Sequence, residues 1–207
     1  MKRIRSKRIL TGNDFFDGYV YHEAGKIKAV TQAELPHDET LDCTDCMVSA
    51  GFIDTHVHGG CGVDFTFCSA DDVAQAADFH LSHGTTSILP TTLASDRVHT
   101  EEALRALQTA STGGKTKANI IGAHIEGPYF ARTQAGAQNP RYLTDPVAKD
   151  YQCIVSQFGG FVKKWSYAPE RDHNAAFCRY ITECGVVASA GHTAATYKDF
   201  CAAYEAG

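Results

Sequence analysis

Gly51-Phe52-Ile53-Asp54-Thr55-His56-Val57-His58-Gly59-Gly60 is the stretch on which the reading of the fold turns. An apolar run ends in a His-x-His pair and two glycines. Alternate side chains of a strand share a face, so His56 and His58 project together. Two imidazoles side by side at a strand end have the form of half a metal site at a barrel mouth. Two solvent-exposed strand-end histidines would give the same local pattern, so the surrounding sequence has to decide.

Outward from this stretch, strands and helices alternate. Residues 47–56 predict the first strand. Ser69 caps a helix, with Asp71 and Asp72 at its positive end, that runs to His83 before Gly84. Residues 85–91 are the second strand, and Ser95 or Thr100 opens a helix through Gln108. Residues 119–125 are the third strand, and Thr144-Asp145-Pro146 starts a helix to about residue 157. The fourth strand is 161–167, and Pro169-Glu170 opens a helix ending near Cys184-Gly185. The fifth strand is 186–190, and Thr193 caps a last helix. The crossovers are long enough for parallel pairing. An open doubly wound sheet and a (β/α)8 barrel both fit. No Gly-x-Gly-x-x-Gly follows the first strand, which weakens the dinucleotide-binding version of the open sheet. A whole barrel needs about 250 residues, and Tyr204-Glu205-Ala206-Gly207 lie at a helix end, so the sequence reads as the front part of a longer protein. Upstream, residues 4–10, 18–22 and 26–31 predict short strands, with turns at Thr11-Gly12-Asn13-Asp14 and Glu23-Ala24-Gly25. The expected division is a β-rich segment at 1–48 and βα units at 49–207.

Bulk properties narrow the function. The chain has 207 residues, 43% hydrophobic and 21% charged, with a formal net charge of −5. That composition is globular and carries no electrostatic footprint for nucleic acid. The basic run Lys2-Arg3-Ile4-Arg5-Ser6-Lys7-Arg8 reads as an arm for nucleic acid or lipid, or as a strand with charged outer positions. No apolar run is long enough to cross a bilayer, and no apolar segment of the signal-peptide kind follows the basic start. The eight cysteines read as reduced thiols, Cys43-Thr44-Asp45-Cys46 as structural, and the expected location as the cytoplasm.

The chemistry-bearing residues fall at predicted strand C-termini, where parallel α/β folds build their sites. His56 and His58 end the first strand, His124 and Glu126 the third, and His192 follows the fifth. Glu126 precedes Gly-Pro, which fixes a tight loop, and His192 lies between Gly191 and Thr193. His124 is expected in a supporting or core role, Glu170 as a helix-start carboxylate, and Asp54 on the opposite face from the pair. His22, His37, His80, His83, His99 and His173 read as surface or packing residues. Imidazole and carboxylate donors suit Zn²⁺, with Fe²⁺ or Mn²⁺ as alternatives. Such an ion lowers the pKa of bound water and polarises a carbonyl, which implies hydrolysis of an amide or ester, and a separate acid/base normally completes it.

Residues 51–59 resemble the first metal-site segment of the amidohydrolase superfamily. Four further segments are similar to the N-acetylglucosamine-6-phosphate deacetylase family: His124-Ile125-Glu126-Gly127-Pro128-Tyr129-Phe130, Gly136-Ala137-Gln138-Asn139-Pro140, Ala168-Pro169-Glu170 and Ala190-Gly191-His192-Thr193. The resemblance implies a partial (β/α)8 TIM-type barrel preceded by part of a β-sandwich domain. It implies Glu126 and His192 on a catalytic metal, His56 and His58 on an optional second one, and Ala137 and Gln138 against the sugar, many members having His at the Gln138 position. It places a further metal-ligand His and the catalytic acid/base Asp beyond Gly207, so an inactive N-terminal fragment is expected. The implied substrate is a small sugar phosphate, the full-length protein a homodimer, and nucleic acid and membrane are not expected partners. A cyclic-amide hydrolase of the dihydropyrimidinase or hydantoinase kind and a non-catalytic metal-binding remnant are the alternatives.

Overall fold

The computed structural model describes residues 1–207, which divide into two compact units, Met1–Gly51 and Phe52–Gly207. In the first, β1 (Lys2–Thr11) pairs antiparallel with β2 (Asp14–Glu23), and β2 with β3 (Lys26–Thr31). β4 (Glu39–Asp42) and β5 (Met47–Val48) run parallel to β1. At the β2–β3 turn Ala24 and Gly25 have φ of 49° and 74°, the left-handed pair that two-residue hairpin turns require. The basic run is a strand, not an arm: Lys2, Arg3 and Arg5 are ion-paired with Glu39, Glu34 and Asp17. Cys43-Thr44-Asp45-Cys46 is a turn, the Cys46 N–H donating to the Cys43 carbonyl at 2.8 Å, and its thiols are free.

The second unit begins with β6 (Phe52–Val57), followed by a short pair, β7 (Gly59–Gly60) against β8 (Val63–Asp64). α1 (Ala70–Ser82), β9 (Thr85–Thr92) and α2 (Arg97–Thr112) come next. The third strand is in two pieces, β10 (Asn119–Ile120) and β11 (Ala123–Glu126). α3 (Ala148–Phe158), β12 (Val162–Tyr167), α4 (Ala176–Glu183), β13 (Val187–Ala190) and α5 (Tyr197–Glu205) complete the unit. The strands are parallel in the order β6-β9-β11-β12-β13, with β10 also on β9. Spatial order follows chain order with no reversal. That excludes the doubly wound alternative, whose switch point requires one, and leaves the curled sheet of a partial (β/α)8 barrel. A core including Phe65, Leu104, Leu107, Trp165, Phe177 and Ile181 fills the space between sheet and helices. No helix is long and apolar enough to cross a membrane.

The element ends differ from expectation in instructive ways. Met47 and Val48 pair with β1, and the parallel sheet starts only at Phe52, because Ser49-Ala50-Gly51 interrupts what reads as one apolar strand. Ser69 caps α1 as expected, reciprocally with Asp72. Asp96 caps α2, and Ser95 instead shares a 3.0 Å hydrogen bond with Thr100. Pro169-Glu170 opens only a short 3-10 turn; α4 starts later, where Asp172 accepts from the backbone N–H groups of Phe177 and Cys178. Thr196 with Asp199, not Thr193, caps α5.

Candidate metal centre

The C-terminal strand ends of the second unit bring four of the expected side chains together. His56 lies near the end of β6, His58 just beyond it, Glu126 at the end of β11, and His192 two residues after β13. Glu126 is 4% exposed, and three imidazoles converge on its carboxylate. His56 Nε2 lies 3.0 Å from Oε1, His58 Nε2 3.1 Å from Oε2, and His192 Nε2 3.4 Å from Oε1. The two Nε2 atoms of His56 and His58 are 3.3 Å apart, as a shared strand face requires. The donor atoms of His56, His58 and Glu126 all lie within 4.8 Å of one another.

The far side of each ring is tied to the fold. His58 Nδ1 is 3.2 Å from the Thr91 carbonyl, and His192 Nδ1 is 2.9 Å from the Gln134 carbonyl. Both contacts turn Nδ1 toward a carbonyl and Nε2 toward the cluster, where Nε2 faces the Glu126 carboxylate and, once deprotonated, offers its lone pair to a metal. His192 also has φ +49°, uncommon for a residue with a Cβ, and rests on the Phe130 ring at 4.6 Å. Asp54 accepts the His56 backbone N–H at 3.0 Å and so braces the pair from behind.

The shifts in acidity follow from this packing. Burial would raise the Glu126 carboxyl, but the hydrogen bond from His58 and the fields of His56, His58 and His192 outweigh it, and the net displacement is downward. The His58 imidazole is raised by its hydrogen bond to Glu126, whereas burial lowers His56. His124, fully buried, is pushed down to about 3, chiefly by desolvation, and is neutral. Both its nitrogens face hydroxyls, Thr91 Oγ1 at 3.1 Å and Ser166 Oγ at 2.7 Å, so it supports the floor of the site and offers no free donor.

Two residues do something that sequence did not indicate. Gln138, expected against a sugar, is 3% exposed; its Nε2 donates to Glu126 Oε2 at 2.6 Å, and its Oε1 accepts from the Ala94 N–H at 2.7 Å. Its carboxamide is used within the protein, while Ala137 is exposed. Glu170, expected at a helix start, accepts from the Ala194 N–H at 2.7 Å and from the Thr193 hydroxyl, pinning the loop that presents His192. Thr91 serves His58, His124 and the Val57 N–H at once. Its place at the end of β9 brings it to the same rim.

The donor set fits a divalent cation. Nitrogen and carboxylate oxygen converge from three different strands, and two rings are oriented from behind. This cluster sits at the C-terminal strand ends of a partial (β/α)8 barrel, the position and donor set of amidohydrolase-type metal sites. No family model matches the chain. Its homologues, in sequence and in structure, are the N-acetylglucosamine-6-phosphate deacetylases. The enzyme of that name from Bos taurus is 34% identical over 197 residues, 91% of this chain and 48% of the relative. The crystal structure of the Mycobacterium smegmatis enzyme of that name superimposes with a TM-score of 0.88 at 30% identity, covering 100% of this chain and 58% of that one. An N-acetylgalactosamine-6-phosphate deacetylase of Escherichia coli O157:H7 is 28% identical over 99% of this chain and 54% of its own length. The chain thus spans about half the length of the curated relatives it matches. D-hydantoinase, at 18% identity and a TM-score of 0.53, shares the fold.

Proposed function

We propose that this chain supplies the first metal-binding side chains of a deacetylase that hydrolyses N-acetyl-D-glucosamine 6-phosphate to D-glucosamine 6-phosphate and acetate. The observation that carries this reading is the buried Glu126 carboxylate met by three imidazole Nε2 atoms at the strand ends of a half-barrel. Glu126 and His192 would hold the catalytic ion and His56 and His58 an additional one; Zn²⁺ is the expected metal, ahead of Fe²⁺ or Mn²⁺. Such an ion supplies Lewis acidity toward the acetyl carbonyl and lowers the pKa of a nearby water. The chain's own groups do the rest of what is seen here. Thr91 and Gln134 carbonyls hold two imidazoles with Nε2 inward, and Glu170 keeps the His192 loop in place. The exposed backbone at Ala137 is where the sugar would be met.

Proton transfer to the leaving amine needs an acid/base that none of these strand ends supplies. The 207 residues alone are therefore expected to bind metal without turnover, the Asp coming from a later segment of a cytoplasmic homodimer. The test is acetate release by the full-length product of this reading frame, loaded with Zn²⁺, from the 6-phosphates of N-acetylglucosamine and N-acetylgalactosamine. Faster turnover of the glucosamine compound is the expected result. Hydrolysis of hydantoin or dihydropyrimidine without acetate release would overturn the reading in favour of a cyclic-amide hydrolase, and metal binding without any hydrolysis in favour of a non-catalytic remnant.

A further inference from the structure

We infer that Gln138 is a positioning residue for metal binding: its carboxamide fixes the Glu126 carboxylate in the orientation that receives a divalent ion. The inference rests on the proposed metal site and assigns the side chain a role other than sugar recognition. Four nitrogens surround Glu126, and three belong to imidazoles. Those three Nε2 atoms are the nitrogens that would serve as metal ligands, to one ion or two. The Gln138 amide nitrogen cannot bind a cation well, because its lone pair is delocalised into the carbonyl. It is the one nitrogen of the four that would not serve as a ligand.

The orientation of that amide is set from its other end. The Ala94 N–H, 2.7 Å from Gln138 Oε1, demands the oxygen there and so turns the NH₂ group onto Glu126 Oε2 at 2.6 Å. Gln138 is itself locked by its backbone N–H, which donates to the Ala135 carbonyl at 2.9 Å, and by near-complete burial. Loop 93–96 after β9, the 135–138 turn and the end of β11 are thereby joined through one side chain. Gln138 thereby holds Oε2, which His58 also meets, while Oε1 faces His56 and His192 and would be the oxygen free for an ion. A neutral partner also keeps the full negative charge of Glu126 for the cation, which a charged donor would partly cancel.

The experiment measures Zn²⁺ affinity by chelator competition, and the visible spectrum of bound Co²⁺, on the 207-residue chain, so no turnover is needed. The variants are Gln138→Leu, Gln138→His and Glu126→Gln. Gln138→Leu keeps the volume and removes both polar ends. It should weaken Zn²⁺ binding about 10–100-fold and alter the Co²⁺ spectrum. Gln138→His, which keeps an N–H donor, should recover most of the affinity. Should the Leu chain not fold, Gln138→Asn, one methylene too short to span Ala94 and Glu126, is read the same way. Unchanged affinity and an unchanged spectrum in Gln138→Leu or Gln138→Asn, with Glu126→Gln abolishing binding, would overturn the inference while leaving the metal site standing. Absence of Zn²⁺ binding by the unmodified chain would overturn both.

Discussion

His192 shows how much of the site rests on single residues away from it. It follows β13 in a left-handed conformation, at φ +49°, which a side-chain-bearing residue holds only when its surroundings impose it. Three contacts impose it: the Gln134 carbonyl on Nδ1, the Phe130 ring against its face, and the Glu170 carboxylate on the two residues that follow. Glu170→Ala removes the last and frees the Thr193 hydroxyl and Ala194 N–H, so His192 samples conformations that point elsewhere. Zn²⁺ affinity measured by chelator competition should fall about tenfold, the cost typical of losing an outer partner of a ligand; an affinity equal to the unmodified chain would show that His192 holds its place without Glu170. The converging residues themselves were legible in the sequence, because His56-x-His58 closes an apolar run before Gly59, Glu126 ends another before Gly127, and His192 follows a third past Gly191. Their partners were not. Gln138 reaches Glu126 and Ala94 from a loop, and Glu170 reaches Thr193 across 23 positions, so only the folded chain juxtaposes them.

Among the elements, the alternation of strand and helix was readable from hydrophobic runs and caps, and the breaks within elements were not. The third strand reads as one segment, 119–125, yet it divides at Ile121-Gly122. Gly122 has φ +148°, and a Cβ there would lie 2.5 Å from the Phe161 carbonyl oxygen, so the chain passes too close to the start of β12 for any other residue. The approach to that strand is anchored by α1. Asp78 Oδ1 accepts from the Thr116 hydroxyl at 2.7 Å, the Lys117 N–H at 2.8 Å and the Ala118 N–H at 3.2 Å. The Thr116 hydrogen bond foremost, then those backbone donors, holds the Asp78 carboxyl below its ordinary value. Asp78→Ala should cost about 1–2 kcal/mol at neutral pH, the charge-assisted hydrogen bonds being discounted for partial solvent screening. A carboxyl lowered on folding contributes its stability above the unfolded value near 3.8, and that contribution is lost as pH falls through the folded value. The gap between unmodified and Asp78→Ala chains in urea unfolding should therefore be level from pH 7 to about 5 and narrow only below 3.8; a gap that widens on acidification would contradict the assignment.

Over the whole molecule the two units differ in what they bury. In Met1–Gly51 the buried side chains are Ser6, Ile9, Val20 and Tyr21, while Leu10, Phe15, Ile27, Val30, Leu41 and Met47 are exposed. A sheet with so small a core has little but its ladder hydrogen bonds and surface ion pairs to hold it, and exposed ion pairs contribute little. Phe52–Gly207 instead encloses a contiguous core from Phe65 to Val186, with Tyr129 stacked on Trp165 at 5.8 Å, Phe177 edge-on to both at 5.0 and 5.2 Å, and the Trp165 N–H donating to the Gly127 carbonyl at 2.7 Å. Hydrophobic burial of this kind scales with area removed from water, so local opening is far costlier in the second unit. Hydrogen exchange followed by mass spectrometry on the 207-residue chain should show amides of β1–β3 exchanging at least about tenfold faster than those of β11 and β12 at neutral pH. Excess Zn²⁺ should slow exchange at β11 and in the loop after β13, where its ligands lie, by the mass-action stabilisation that any ligand of the native state confers. It should leave β1–β3 unchanged. Equal protection of β1–β3 and β11–β12 would show that the small sheet is held by more than its own contacts, and Zn²⁺-dependent protection confined to β1–β3 would place the ion away from Glu126.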